Sequence, residues 1–452
     1  EPLSDSTIYM AYYTIAHRLQ DVDPEKLDRA FWDTLFYSPD AVDEPDERAL
    51  ELREEWEYWY PIDFRCSAND LIQNHLTFFL FHHAELFDRQ YWPEGITIMG
   101  MGLLEGEKMS SSKGHVVLPS EAIEAFGADT VRFFLLNSAE PWQDYDWRED
   151  AVASTRDQLD SFWNRAQEII EWDAQRASEQ SSGDEPRDVP EDAGDDLEPI
   201  DRWLLSKLQG TIRAATEAME GFETRTASQA IFYGFEEHLR WYRRRADLDR
   251  PGARWTLRAV LRARLRMLAP FVPFMANELH EQLTGEPAED AAWPEPDPDV
   301  ESERIELREQ LVERLTDDVG DIVDVTGTDP ETIRVYVAAD WKRDVFETVT
   351  EVGPDVGAVM GEVMSDEALR EKGDAVNDLV QDLVGLVRER DDETLAVMTD
   401  VDERAVYESA ARFLAAEFDA DVQVAAEDDA GLSDPEDKAD SAVPFRPAIY
   451  LA

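Results

Sequence analysis

Residues 95–114 read Gly95-Ile96-Thr97-Ile98-Met99-Gly100-Met101-Gly102-Leu103-Leu104-Glu105-Gly106-Glu107-Lys108-Met109-Ser110-Ser111-Ser112-Lys113-Gly114. A strand-like run over residues 95–101 leads into a Gly/Ser/Lys loop at 106–114, and a helix is predicted after Pro119. The loop carries two lysines and three hydroxyls between glycines. Backbone N–H groups and hydroxyls in such a loop can cradle phosphates, and Lys108 can meet a developing pyrophosphate charge. From composition alone, an exposed polar loop ahead of a helix is the commoner meaning of the string. Its context is narrower, because Gly127-Ala128-Asp129-Thr130-Val131-Arg132-Phe133 follows on a predicted helix.

Upstream, Trp59-Tyr60-Pro61-Ile62-Asp63-Phe64-Arg65-Cys66-Ser67-Ala68-Asn69-Asp70-Leu71-Ile72-Gln73-Asn74-His75 reads as a strand, a tight turn at 67–69 and a helix started by Asp70. A carboxylate in that place is most often a helix cap. Helical apolar spacing runs through residues 8–19 and 71–87. The alternation of strand and helix signals over residues 1–150 indicates part of an α/β sheet domain. Residues 150–172 and 200–284 follow a 3.6-residue period and form a helical bundle on this reading. Residues 304–452 alternate helices with β-like runs at 332–338, 422–425 and 448–451, a small α+β domain. Two linkers divide these segments. One, 173–199, is rich in Asp, Glu, Ser, Pro and Gly; the other, 285–303, holds four prolines. There is no internal repeat.

The chain has 452 residues, 102 Asp and Glu against 43 Lys and Arg, and a formal net charge of −59. The acids are spread among aromatic and aliphatic positions rather than gathered in a tail, which fits a surface adapted to molar salt, where the Debye length is about 3 Å. Thirteen tryptophans argue against an acidic chaperone-like chain. The single cysteine, Cys66, excludes an intramolecular disulfide and a cysteine-rich zinc site. No signal-peptide pattern or membrane-length apolar run is present, so a cytoplasmic location is expected. Acidity argues against nucleic-acid partners in general, yet residues 240–266 hold ten arginines and two acids. Arginine suits bidentate phosphate contact and base stacking. The patch fits RNA binding, with Arg240, Arg243 and Arg244 as the contacts. The rival is a charged helix face paired with acids from its neighbours.

In their order along the chain, these strings resemble the class I aminoacyl-tRNA synthetases, and the archaeal type of leucyl-tRNA synthetase in particular, from a salt-loving organism. The loop looks like the KMSKS signature, with Ser111 in place of the second lysine and Lys113 two residues on. The resemblance implies that it closes on ATP and stabilises departing pyrophosphate. That implies catalytic roles for Lys108 and Ser111, and ATP contacts from Gly100, Met101, Lys108, Met109, Ser110, Ser111, Ser112 and Lys113. The string at 59–75 looks like the sugar- and adenine-facing turn, with Ser67-Ala68 where the family has Ser-Gly. Asn69 and Asp70 are the implied ribose or adenosine contacts, and His75 reads as a packed helix residue. Leu3-Ser4-Asp5-Ser6-Thr7-Ile8-Tyr9-Met10-Ala11-Tyr12-Tyr13 looks like the stretch at the amino-acid end of the site. Leu268-Ala269-Pro270-Phe271-Val272-Pro273-Phe274-Met275-Ala276-Asn277-Glu278-Leu279 resembles a hallmark of the anticodon-binding helical domain. Ile333-Arg334-Val335-Tyr336-Val337 and Arg446-Pro447-Ala448-Ile449-Tyr450-Leu451 resemble the archaeal C-terminal domain, which holds tRNA.

The implied fold is multidomain: the second half of a Rossmann-type α/β catalytic domain (1–150), an all-α anticodon-binding bundle (151–285, with the acidic linker 173–199), and a small α+β C-terminal domain (304–452). The implied reaction joins leucine to tRNA(Leu) through leucyl-adenylate, with Mg2+ accompanying ATP and no protein-bound metal in this segment. Neither a membrane nor DNA is an expected partner. The family's first signature, HIGH, needs a His-x-Gly-His frame, and none of the seven histidines sits in one. The chain begins at Glu1 without an initiator methionine. It is therefore expected to be one half of a synthetase, with the N-terminal half in cis or as a second subunit, and inactive alone. Two other readings remain. One is a non-catalytic tRNA-binding relative, suggested by Ser111, Ala68 and the missing half. The other is a class I enzyme for isoleucine, valine or methionine; the Asn-Asp-Leu-Ile-x-Asn-His string and the C-terminal domain favour leucine.

Overall fold

Aspartates start many of the helices of this acidic chain. Asp28 accepts from Phe31 N–H at 3.0 Å, Asp46 from Arg48 and Ala49 N–H at 2.9 and 3.0 Å, Asp391 from Thr394 N–H at 2.8 Å and Asp402 from Ala405 N–H at 3.1 Å. Each carboxylate satisfies N–H groups that lack an intrahelical partner and sits at the positive end of the helix dipole. The computed structural model describes residues 2–37, 42–109, 114–179 and 196–452. Its described residues gather into two compact units, one of Glu1–Arg165, Ala215–Gln229 and Leu268–Asp290, the other of Ala166–Ala214, Ala230–Met267 and Ala291–Ala452. The three segments read from the sequence do not anticipate this grouping, because a 3.6-residue period marks a buried face without saying which neighbour covers it.

In the first unit, strands β1 (Phe64–Ala68) and β2 (Gly95–Met99) pair in parallel, Ala68 opposite Met99. The π-helical turn Ile72–Leu76 and the helix Thr77–Leu86 lie between them in sequence. The run predicted over 95–101 is interrupted at Gly100 and Met101. A Cβ on Gly100 would fall 2.0 Å from the Gln143 carbonyl oxygen, so the chain must pass the 141–144 backbone here. It resumes as β3 (Gly102–Leu104), which pairs antiparallel with β4 (Glu107–Lys108) and parallel with β5 (Tyr145–Trp147). An aromatic core centred on Phe31, Trp56, Tyr60 and Phe87 joins helices Arg29–Phe36 and Glu47–Trp59. Buried Arg53 donates to the carbonyls of Thr34, Leu35 and Tyr37, closing the end of the first of these helices. Helix Ala128–Ser138 supplies Asp129, whose carboxylate accepts from Met275 N–H at 2.7 Å and Phe274 N–H at 3.3 Å. It thereby caps helix Pro273–Thr284, and burial raises its pKa above the usual carboxylate range. Asp129 is therefore a packing device.

The second unit contains helices Phe235–Arg245, Pro251–Leu268 and Glu303–Thr326. Fully buried Asp201 accepts from Tyr242 Oη at 2.5 Å and from Arg250 Nη2 at 3.0 and 3.1 Å. A three-stranded sheet follows, with β6 (Thr332–Val337) central, parallel to β7 (Asp421–Ala426) and antiparallel to β8 (Ala448–Leu451). Val376, Val380, Leu383, Val384 and Val387 recur on one face of helix Asp374–Arg388 and build the core beside the sheet. Residues 304–452 thus hold helices and a three-stranded sheet, within a unit that also takes in Ala166–Ala214 and Ala230–Met267. The acidic linker starts later than expected. Helix Glu149–Glu179 continues through 173–179, where Ala, Gln, Arg and Glu are good helix formers, and the rest of the linker to residue 195 lies outside the described residues.

Candidate functional site

Parallel strands present ligands with their carboxyl ends, where the chain turns away and backbone groups are unpaired. β1 and β2 end side by side at Ala68 and Met99. Asn69 and Asp70 leave the first end on a single 3-10 turn, Asn69–Leu71, and both are exposed. Gly100 and Met101 leave the second. Gly100 N–H donates to the Pro141 carbonyl at 2.7 Å. Met101 N–H donates to Asp144 Oδ1 at 2.7 Å, and its carbonyl accepts from Tyr145 N–H at 3.1 Å. Both main-chain groups of Met101 are thus used within the chain.

Lys108 closes the same edge. Its Nζ lies 3.6 Å from Asp70 Oδ2, and both side chains are 68% exposed. This pair brings together two residues that the sequence places in different motifs. The approach to the loop is a tight turn. Glu105 and Gly106, between β3 and β4, have φ of 51° and 82°, the left-handed pair that a two-residue hairpin turn requires. Asp146 holds that turn by accepting from Gly106 N–H at 2.8 Å. That contact and Arg148 keep its carboxyl below the usual range. Met109 is half-buried against Ala122, Val131, Phe134 and Trp147. On the far side, His115 Nε2 lies 3.0 Å from the Leu104 carbonyl. Asp146 and His115 were missed by the sequence reading, since neither belongs to a motif. Ser110, Ser111, Ser112 and Lys113 lie outside the described residues.

The amino-terminal helix Pro2–Tyr13 is tied to the turn after β1. His75 Nε2 is 2.8 Å from the Ser6 carbonyl, and Thr7 Oγ1 is 2.6 Å from His82 Nδ1. His75 is half-buried, in keeping with a packed helix residue. Tyr9 and Tyr12 line a cleft of about 430 Å³ with Trp32, Phe36 and Phe87, and both are partly exposed.

The arginine-rich run divides sharply. Arg244 donates to Glu417 Oε1 at 2.7 and 2.9 Å and lies over the Trp241 ring at 5.6 Å. Arg245 is 3.3 Å from Glu309, and Arg250 and Arg254 are 3.0 Å from Asp201 and Asp249. Arg264 is buried, bonded to Glu236 at 2.8 Å and to the Ile231 and Phe232 carbonyls. For these five, pairing with acids accounts for the charge. Arg240 is 76% exposed, with Glu237 at 4.0 Å, and Arg243 is half-buried.

Residues 201–330 match the family described as the anticodon-binding domain of tRNA ligase, and residues 42–166 match tRNA synthetases class I (M). Over its whole length the chain is 40% identical to a leucine–tRNA ligase of Methanothermobacter thermautotrophicus, 39% to that of Methanopyrus kandleri and 38% to that of Pyrococcus abyssi. In each case it covers 46% of the relative. Among solved structures, a LeuRS–tRNA–LeuAMS ternary complex from Agrobacterium radiobacter K84 matches with a TM-score of 0.45 and 20% identity, covering 68% of this chain and 34% of that one. Methionyl-tRNA synthetase of Mycobacterium tuberculosis, in complex with methionyl-adenylate, matches with a TM-score of 0.41 and 22% identity, covering 50% of this chain and 45% of that one. The chain spans about half the length of the curated archaeal leucine–tRNA ligases that it matches.

Proposed function

We propose that this chain is part of an archaeal-type leucine–tRNA ligase, acting in the cytoplasm of a salt-loving organism. On this reading, residues 1–150 belong to the Rossmann-type catalytic domain, 151–285 to the anticodon-binding bundle and 304–452 to the tRNA-holding domain. The observation that carries it is the meeting of Lys108 with Asp70 beside the carboxyl ends of β1 and β2. In the first step, the leucine carboxylate attacks the α-phosphate of ATP and pyrophosphate leaves. The Lys108 ammonium stabilises the charge that grows on that leaving group, a contribution largest where it is held in place before reaction. The hairpin turn at Glu105–Gly106 and the His115 anchor supply that hold at the two ends of the loop. Asn69 and Asp70 bind the adenosine side, Gly100, Met101 and Met109 shape the floor, and Ser110, Ser111, Ser112 and Lys113 close over the phosphates, with Ser111 in the place of the family's second lysine. Mg2+ enters with ATP. In the second step leucine passes to the 3′ end of tRNA(Leu).

The reading also calls for further chain to complete the sheet. Parallel sheets are normally covered on both faces, and among the described residues the β1–β2 sheet has two strands, with Phe64, Leu71, Ile72, Phe78, Leu80 and Phe81 exposed on β1 and the helical segment after it. A HIGH-bearing half, in cis or as a second subunit, would cover that surface. The test is leucine-dependent exchange of pyrophosphate into ATP, by this chain supplied with that half in molar KCl. Lys108→Ala should lower the exchange rate by about 100-fold or more, the usual cost of losing one transition-state donor. No leucine-dependent exchange would refute the reading, and exchange driven by isoleucine, valine or methionine instead would change the amino acid.

A further inference from the structure

Arg314, Leu315 and Asp318 follow Leu311 by three, four and seven residues, which puts all four on one face of helix Glu303–Thr326. That face walls a cavity of about 480 Å³, within the size range of small-molecule sites. Leu383 on helix Asp374–Arg388 and Phe445 add to its apolar lining. The wall that carries Phe445 is a closed turn. Val443 and Arg446 exchange main-chain hydrogen bonds at 3.1 and 2.9 Å, Phe445 has φ of 65°, and its N–H donates to Glu403 at 2.8 Å. Arg446 and Asp382, also on the cavity, lie 3.8 Å apart and offset one another. Tyr407 enters from helix Glu403–Phe418. It is 1% exposed, and among the described residues its hydroxyl has no hydrogen-bond partner. Buried hydroxyls are normally paired, so one left open on a cavity wall marks a place for a ligand's polar group. Burial, and after it the charges of Glu403 and Asp318, push the phenol pKa upward, so it stays a neutral O–H donor. The Arg314 charge acts on the same phenol, and Arg314 forms no ion pair among the described residues. Burial, then Asp321 and Asp317, raise the Asp318 carboxyl above its usual range, so a cation beside it relieves crowded negative charge.

We propose that this cavity binds a small zwitterion with an apolar body, of the class of the free apolar α-amino acids. Its carboxylate accepts from the Tyr407 hydroxyl and the Arg314 guanidinium, its ammonium group meets Asp318, and its side chain lies against Leu311, Leu315, Leu383 and Phe445. A simple anion is repelled by Asp317, Asp318 and a net charge of −59. A simple amine leaves Arg314 without an acceptor. Only a ligand with both charges close together and an apolar remainder uses all the groups that line the cavity. None of these residues belongs to the Lys108–Asp70 site, so the occupant acts as a separate ligand of this chain.

The experiment titrates the full chain with L-phenylalanine in molar KCl by calorimetry; phenylalanine replaces leucine as the probe so that no leucine substrate site contributes. Phenylalanine should bind at a single site. Phenethylamine and hydrocinnamate, each lacking one of its two charges, should bind at least about tenfold more weakly. Tyr407→Phe should weaken phenylalanine by about tenfold while leaving urea stability unchanged, because its hydroxyl has no protein partner to lose. Arg314→Gln, at an exposed position, should weaken it by a similar factor. Phenethylamine or hydrocinnamate binding as tightly as phenylalanine would overturn the zwitterion. Absence of phenylalanine binding, or binding that both variants leave unchanged, would overturn the site. The ligase reading stands or falls separately, on leucine-dependent pyrophosphate exchange.

Discussion

Glu403 is a carboxyl buried to 3% exposure at the start of helix Glu403–Phe418. Burial raises its pKa from 4.5 to about 7, against the Phe445 N–H that it accepts at 2.8 Å and the nearby Arg343 charge. The folded state therefore binds this proton more tightly than the unfolded chain does. The stability it contributes is complete below pH 4.5 and is lost as pH rises through about 7. A shift of about 2.5 pH units corresponds to about 3 kcal/mol. Glu403→Gln keeps an oxygen for the Phe445 N–H and removes the ionisation. At pH 5 the two proteins should be nearly equal in stability, and at pH 8 the variant should be more stable by up to about 3 kcal/mol. Urea titrations of both in molar KCl, repeated at each pH, measure the difference. A difference that stays constant between pH 5 and 8, or that favours the wild type as pH rises, refutes the reasoning.

Arg264→Met should be destabilising by about 3–5 kcal/mol, because it leaves Glu236 without its buried partner and strips the donors from two carbonyls of the π-helical turn Gln229–Gly234; urea unfolding measures it. Transfer from molar KCl to about 0.1 M lengthens the Debye length from about 3 to about 10 Å and exposes the chain to its own −59 charge. Helical circular dichroism should fall on that transfer, and an unchanged spectrum would remove the case for a salt-adapted surface.

Local chemistry was legible where it depends on near neighbours. Pro119 starts a helix as its fixed φ dictates, and residues 448–451 form the strand their apolar run implies. The turn after β1 and the loop after β3 were both marked by their composition, yet only the fold shows that Lys108 and Asp70 face each other. What stayed hidden depended on contacts far along the chain. Gly100 breaks the strand because of a carbonyl 43 residues away, which no window around residue 100 contains. The acid that caps helix Pro273–Thr284 is Asp129, 146 residues before the Met275 amide that it accepts. Asp129 sits inside a motif-like string, where a carboxylate invites a functional reading, but its two main-chain partners use it for packing.

The arginines make the same point about charge. Sequence reports the density of cations over residues 240–266, but binding depends on the charge that remains after pairing. Arg244 meets Glu417, 173 residues away, and Arg245 meets Glu309. A carboxylate within 3 Å of a guanidinium offsets most of the field it would present to a phosphate. The run at 240–245 therefore looks more cationic in sequence than it is in space. That PGARWTLRAVLRARLRML carries no acid of its own is readable from the sequence, but Asp249, just ahead of that helix, pairs with its Arg254 at 3.0 Å. The structure adds the inward turn of Arg264, which is buried and bonded to Glu236 and to the Ile231 and Phe232 carbonyls.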